Sequence, residues 1–547
     1  MEQSTYQADA IVVGAGIAGI ITALELLDQG KRVLLVDRDD EQGFGGQAKW
    51  AFGGMFFVDS PVQRRVGISD SIQLARQDWW SYAQFDDTDP WGPRWAEQFL
   101  QLITPHGYHW LHEHGIRFFP ILNWAERGDQ PPGNSLPRFH LLWGTGLELV
   151  RVFGGKLRNH PQRDRLQLLF GHRVQEIVQQ NGAITGIAGT LEADGSEFTA
   201  NAEAVVVATG GIGGSIQRVK ENWHTDWHTP PEKILNGSHP FVIGDLHDAT
   251  QRAGGAVANL DKQWNYAAGV HHPQPQWPDH GLSLVPCKSA LWMNYRGERL
   301  GPTPLVSTYD TRQFIERICQ QQKKYSWQIL NMNIANKEFA ISGAEHNTTV
   351  RDKSLVGFIK GVLLGNKRLV QEMIDTCPDF VVADSIDELA EKMNAVTGDG
   401  DVDIHLLRSS IEQYDAHIDR GQRFFNDEQL RRIAHIRQYR VERLRTCKFQ
   451  KIDDPKARPL IAIREFILSR KSLGGIQTDL ESRVLSSPNP TDGHQQPIPG
   501  LWAVGEAAGF GGGGMHGLRA LEGTFLSGCV ITARVAAKSI AGQKLHV

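Results

Sequence analysis

The run Gly14-Ala15-Gly16-Ile17-Ala18-Gly19 spaces its glycines for one kind of chemistry, the holding of a pyrophosphate. The first glycine permits a tight turn, the second lets the backbone approach a phosphate, and the third allows a helix to pack against a strand. The helix N-terminus then faces the anion. Asp37, followed by Arg38, stands at the distance downstream where a carboxylate accepts hydrogen bonds from ribose hydroxyls. The motif implies a dinucleotide and does not by itself separate FAD from NAD.

Other residues with chemical potential read differently. His106, His109, His112 and His114 fit one amphipathic helix with Trp110 and Leu111 on its apolar side, and His224 and His228 sit in a local duplication, WHTDWHT, that fits a loop. No metal site is expected from either group. Cys287, Cys319, Cys377, Cys447 and Cys529 show no CxxC or CxxCH spacing, which excludes an iron–sulfur cluster and an attached haem. Buried free thiols are expected instead.

The elements that must position the glycine turn are visible around it. ADAIVV before the turn reads as a buried strand, IITALELL after it as a helix, and VLLVD at Val33 to Asp37 as a second buried strand. AVVVATGGIGG at Ala204 to Gly214 and LWAVG at Leu501 to Gly505 read as further buried strands that end in glycine. From about Asp261 to Asp454 the character changes to helical periodicity, as in SIDELAEKMNAV and LRSSIEQYDAHI.

At 547 residues, two domains are expected. The 57 Lys and Arg against 62 Asp and Glu give a formal charge of −5, which offers no field for a polyphosphate backbone, so nucleic acid is excluded as a partner. No secretory leader and no apolar window long enough to span a bilayer is seen, so no integral membrane segment is expected and a cytoplasmic enzyme is.

Several blocks carry a family resemblance: GGQAKWAFGG at Gly45 to Gly54, the ATGG strand followed by Gly244-Asp245 and Ala253-Gly254-Gly255, and LGGIQTD at Leu473 to Asp479 followed by IPGLWAVGEAAGFGGGGMHGLRALEGTFLSG. In this order they resemble the flavoprotein superfamily of fumarate reductases, succinate dehydrogenase flavoprotein subunits, aspartate oxidase and 3-ketosteroid Δ1-dehydrogenases. The resemblance implies an α/β fold, with a Rossmann-type, glutathione reductase-like FAD-binding domain built discontinuously from residues 1–260 and 455–547. An α+β substrate or capping domain is inserted over 261–454. The cofactor implied is FAD. Besides the glycine turn, Asp37 and Arg38, the resemblance assigns to it Gly45, Gly46, Gln47, Ala48, Gly53, Gly54, Val174, Ala208, Thr209, Gly210, Asp245, Gly505, Glu506, Thr524 and Phe525. Glu506 at a strand end suits ribityl hydroxyls, Gly511 to Gly514 suit a backbone contact with the flavin ring, and the helix from Thr524 suits negative charge at N1 and O2. Covalent members carry His where Gln47 stands, so the flavin is expected to be noncovalent.

The substrate side departs from the fumarate reductases. Their HGANR arginine falls on Ala520, with Arg519 one residue early, and their histidine before TMGG is replaced by Lys471, next to Arg470. Specificity for succinate or fumarate is therefore not expected. Tyr309 falls near the position of a ketosteroid dehydrogenase acid or base, with Arg312 close by, and His516 belongs to the same C-terminal signature. The candidate catalytic set is Tyr309, Lys471, Arg470, Arg519 and His516. The reaction implied is hydride exchange with flavin N5 at a CH–CH or C=C bond beside a carbonyl, on a small carbonyl-bearing molecule. Trp264, Tyr266, Trp277, Trp292 and Tyr295 are candidates to wall that site. No second glycine-turn unit exists for NAD(P)H, so the expected electron acceptor is diffusible, such as a quinone. A dicarboxylate reductase using Arg519, and a noncatalytic flavin-binding sensor or assembly subunit, are the alternatives.

Overall fold

Ala10–Val13 forms a strand whose four residues are all buried. It reads as an unbroken apolar run because Val33–Val36 and Ala204–Val207 flank it, both in parallel, and both of its faces are covered. The computed structural model describes residues 4–546. In sheet order the neighbours run Arg483–Leu485, Pro497–Ala503, Ala204–Val207, Ala10–Val13, Val33–Val36 and Leu166–Leu169, parallel except for the first pair. The helix Ile17–Asp28 follows the central strand. The fold is mixed α/β.

Two compact units divide the chain. The first takes residues up to Asn222, Ser238–Trp264 and those from Lys471 onward. Its core holds Ile11, Val13, Leu34, Val205, Val207, Leu501 and Ala503. Within this unit, Ile103–His109 is a π-helix continued by Trp110–Glu113, in place of one amphipathic α-helix. Leu111 is buried, Trp110 stacks on Phe153 with ring centroids 4.8 Å apart, and His106 Nε2 donates to the His546 carbonyl at 2.6 Å.

The second unit comprises Trp223–Gly237 and Asn265–Arg470. It extends to Arg470, beyond Asp454, because the long strand Leu460–Ser472 is central to its sheet, pairing with Ser326–Asn331, Phe380–Ala383 and Leu235–Asn236. The helical patterns appear as Ile386–Thr397, burying Ile386, Leu389 and Met393, and Ile404–Asp419, burying Leu407, Ile411 and Tyr414. Trp292 lies in this core with Tyr295 packed against it. Glu465 on the central strand is 0% exposed, and neither carboxylate oxygen has a hydrogen-bond partner among the described residues. Burial therefore pushes its carboxyl well above the usual range.

Candidate active site

In the first unit the three turn glycines have three separable causes. Gly14 has φ +108°, and a Cβ there would lie 2.4 Å from the Ala208 carbonyl oxygen. On Gly19 a Cβ would lie 1.9 Å from the Gly14 carbonyl oxygen, so helix and strand close only around glycine. On Gly16 it would meet no protein atom within 4 Å. Gly16 is also the N-cap of Ile17–Asp28, with no side chain capping the first turn. An open cradle at an uncapped helix N-terminus fits the pyrophosphate of a dinucleotide.

Asp37 is oriented by the same turn. Its Oδ2 accepts from the Ala15 amide at 2.5 Å and its Oδ1 from the Asp39 amide at 2.8 Å. Burial pushes its carboxyl up despite these bonds. Arg38 is held by Glu192 at 2.6 Å and stacks over Phe241, while Asp245 pairs with Arg173 at 2.9 Å and Arg38 at 3.5 Å. Arg38, next to Asp37 in sequence, and Asp245 thus serve one charge network.

Gly45 bridges to Gly16 and donates its amide to the Ala15 carbonyl at 2.9 Å. Gly46 brings its Cα side toward Gly16, and the 3₁₀ turn Gly46–Trp50 presents Gln47, whose Nε2 donates to Ser238 Oγ at 2.9 Å, with Ala48 buried behind it. Gly53 and Gly54 are required by packing, since their Cβ atoms would meet the Gly146 amide at 2.6 Å and the Phe139 ring at 1.8 Å. Val174 packs its side chain into the core, leaving its backbone as the part able to meet a ligand. Ala208, Thr209 and Gly210 follow the strand Ala204–Val207, and Gly210 takes φ +77° against Val242.

The C-terminal signature carries internal contacts at three points. Glu506 Oε1 accepts from the Ser472 amide at 2.9 Å, and Ser472 Oγ accepts from the Ile212 amide at 2.9 Å, so the carboxylate ties two glycine turns together. Gly505, at φ +62°, abuts Ala18 on the cofactor helix. Gly511 to Gly514 are buried, and Cβ atoms there would meet Trp95, Trp91, Gln477 and Asn259. Thr524 is 0% exposed, with its amide and hydroxyl both bonded to the Leu521 carbonyl, at 3.3 and 2.6 Å. No side chain caps the first turn of the helix Thr524–Ile540.

The candidate catalytic residues separate into groups. His516 is 0% exposed, sandwiched by Trp79, Phe510 and Phe525, and bonded through Nε2 to Thr524 Oγ1 at 2.8 Å. Burial and nearby Lys471 lower its pKa to about 3, which favours the neutral imidazole. Arg519 is 8% exposed and turned inward, donating to Gln84 Oε1, with Ala520 fully buried beside it. Lys471 holds its ammonium over the Phe525 ring, 4.1 Å from the centroid. Trp264 Nε1 donates to Glu522 Oε1 at 2.9 Å.

In the second unit, Arg470 donates to the Gly237 carbonyl, pointing opposite to Lys471 as successive strand residues must. Tyr309 bonds His435 Nδ1 through its hydroxyl at 3.3 Å and lies under Arg432, 4.6 Å from guanidinium carbon to ring centroid. Arg312 is 3% exposed and held by Asp226 at 2.9 Å and His224 Nδ1 at 3.2 Å, which makes it a structural anchor. A group absent from the sequence reading is His272, Glu345 and His346, whose ligating atoms lie within 4.8 Å of one another. His272 Nδ1 accepts from the Gln274 amide at 3.0 Å, so Nε2 carries the proton and faces Glu345 Oε2 at 3.6 Å. The His280 ring stacks on His272 at 4.3 Å and on Trp277 at 3.7 Å beside this cluster. Residues 272 and 345 are too far apart in sequence for spacing to reveal it.

A mostly parallel sheet, a glycine turn open at Gly16 and two further glycine turns tied to each other through Glu506 and Ser472 define a dinucleotide-binding α/β protein. The chain matches the FAD binding domain family over residues 9–526 and belongs to it. It is 41% identical over 553 residues to a KsdD-like steroid dehydrogenase of Mycobacterium tuberculosis, covering 98% of this chain and 96% of that protein. A KsdD-like steroid dehydrogenase of Mycolicibacterium smegmatis is 40% identical over 537 residues, covering 95% and 96%. Among solved structures, 3-ketosteroid Δ1-dehydrogenase from Sterolibacterium denitrificans has the same fold, with a TM-score of 0.68 at 15% identity, covering 98% of this chain and 99% of that one. The cofactor is FAD, and the protein is an FAD-dependent oxidoreductase of the CH–CH class.

Proposed function

We propose that this enzyme exchanges hydrogen with a steroid-like ketone at the carbon–carbon bond next to its carbonyl. The observation that carries the reading is the near full-length likeness to KsdD-like steroid dehydrogenases. Two side-chain findings support it. Arg519 is turned onto Gln84 and Ala520 is buried, which disfavours an arginine grip on a dicarboxylate at this signature, whereas the Lys471 ammonium, over the Phe525 ring, suits a single carbonyl oxygen. The first unit is read as a Rossmann-type FAD-binding domain and the second as the inserted substrate domain. Their limits are read as 1–260, 261–454 and 455–547, with the last boundary moved to Arg470 on the compact units.

Bound FAD supplies the two-electron chemistry, and the turn at Gly14–Gly19, Asp37 and Glu506 would hold it without a covalent bond, since Gln47 has no nucleophilic ring nitrogen. Lys471 is assigned to polarise the carbonyl, in preference to Arg470, which is bonded to Gly237. Tyr309 is assigned to move the proton at the carbon beside the carbonyl, with the Arg432 guanidinium lying over its ring. The acceptor is read as a quinone and the location as the cytoplasm. The test is an anaerobic titration of the oxidised enzyme with saturated 3-ketosteroids and with succinate. Bleaching of the flavin by a ketosteroid and not by succinate is expected; bleaching by succinate alone would reverse the reading.

A further inference from the structure

The helix Leu355–Leu364 in the second unit inverts the pattern of its neighbours. Ile386–Thr397 buries Ile386, Leu389 and Met393. Here Leu355 is 58% exposed, Val356 66% and Ile359 48%. Positions 355, 356 and 359 lie on one side of a helix, so these side chains form one outward apolar face. The helix is a defined element, capped by Ser354, whose Oγ accepts from the Gly357 amide at 3.1 Å.

Charge identifies what covers this face. Between Asp352 and Glu372 the chain carries Lys353, Lys360, Lys367 and Arg368 and no carboxylate, within a protein whose formal charge is −5. Lys360, Lys367 and Arg368 are exposed. Apolar side chains flanked by cations, on a helix about 15 Å long, match a segment that lies in the headgroup region with its apolar side down. No described helix is long and apolar enough to cross a membrane. A second copy of this chain would place the same cations against each other, which disfavours self-association through this face. We propose that the helix Leu355–Leu364 and its flanking cations dock the enzyme on the surface of an anionic lipid bilayer. The proposal does not depend on the substrate assigned above.

The experiment uses the full-length, FAD-loaded protein and vesicles of phosphatidylglycerol and phosphatidylcholine in equal parts, with phosphatidylcholine vesicles beside them. Sedimentation with the anionic vesicles is expected, weakening about tenfold in high salt and with the neutral vesicles. The double variant Leu355→Ser/Ile359→Ser is expected to lose about tenfold or more in partitioning, with circular dichroism and FAD content unchanged because both side chains are already exposed. Lys360→Glu should also weaken binding. Failure of the wild type to sediment with anionic vesicles, or equal sedimentation of the double variant, overturns the proposal. So does light scattering that shows a dimer which the double variant splits, since the face would then belong to a second copy.

Discussion

In the first unit a Cβ on Gly19 collides with a carbonyl 1.9 Å away, while one on Gly16 meets nothing within 4 Å. In the second unit, Tyr309, Arg432 and His435 meet through their side chains, and any of them can be exchanged without touching the backbone. The cofactor side of this enzyme is thus written in main-chain geometry, and the proposed substrate side in side-chain identity. Backbone requirements tolerate no residue but glycine at a few positions; side-chain chemistry leaves the fold free to vary what it presents.

The sharpest test of that contrast is Gly19→Ala. Its Cβ has backbone on the other side, with no flexible atom to yield, so a loss of about 4 kcal/mol or more in urea unfolding of the apoprotein is expected. Normal stability would show that the turn adapts. Tyr309→Phe comes next: turnover should fall about 10²-fold with FAD content unchanged, and Arg519→Ala should cost less. A healthy Tyr309 variant beside an inactive Arg519 variant would return the enzyme to the dicarboxylate-reductase reading.

Gly16→Ala is expected to fold with an unchanged apoprotein melting temperature yet bind FAD about tenfold more weakly by equilibrium titration, because the added methyl group occupies the pyrophosphate cradle. Equal affinity would mean the phosphate lies elsewhere. The smallest effect belongs to Glu465. Its folded pKa is raised above the usual 4.5, so its contribution is fully present below that value and is lost as pH rises toward the folded pKa. Glu465→Gln should therefore raise the melting temperature by about 2 °C or more near pH 8, and by less near pH 5. A pH-independent difference would assign the effect to packing.

The same contrast decides what could be read from the sequence. The strand, turn and helix around Gly14–Gly19 were legible because backbone geometry admits few residue types. So was the tie between the C-terminal signature and the flavin fold, although the packing of Gly511 and Gly512 against Trp91 and Trp95 involves partners that no local pattern announces. The neutral burial of His516, the cluster of His272 with Glu345 and His346, and the opposite orientations of Arg470 and Lys471 depend on residues brought together from distant segments. The extension of the second unit to Arg470 has the same origin, in the sheet pairing of Leu460–Ser472.

The pairing of Val205 with Leu501 also sets a timetable. The strand Ala204–Val207 leaves the ribosome with one of its edges lacking the neighbour it will have in the finished sheet, and the whole second unit must be synthesised before Pro497–Ala503 arrives. At ordinary elongation rates that interval is roughly 15 to 60 s. During it the nascent chain presents a hydrophobic strand edge of the kind that invites mispairing. Expression of this enzyme should accordingly respond more strongly to chaperone supply and growth temperature than its final stability would suggest, and truncation before Pro497 should yield insoluble chains rather than a smaller FAD-binding protein.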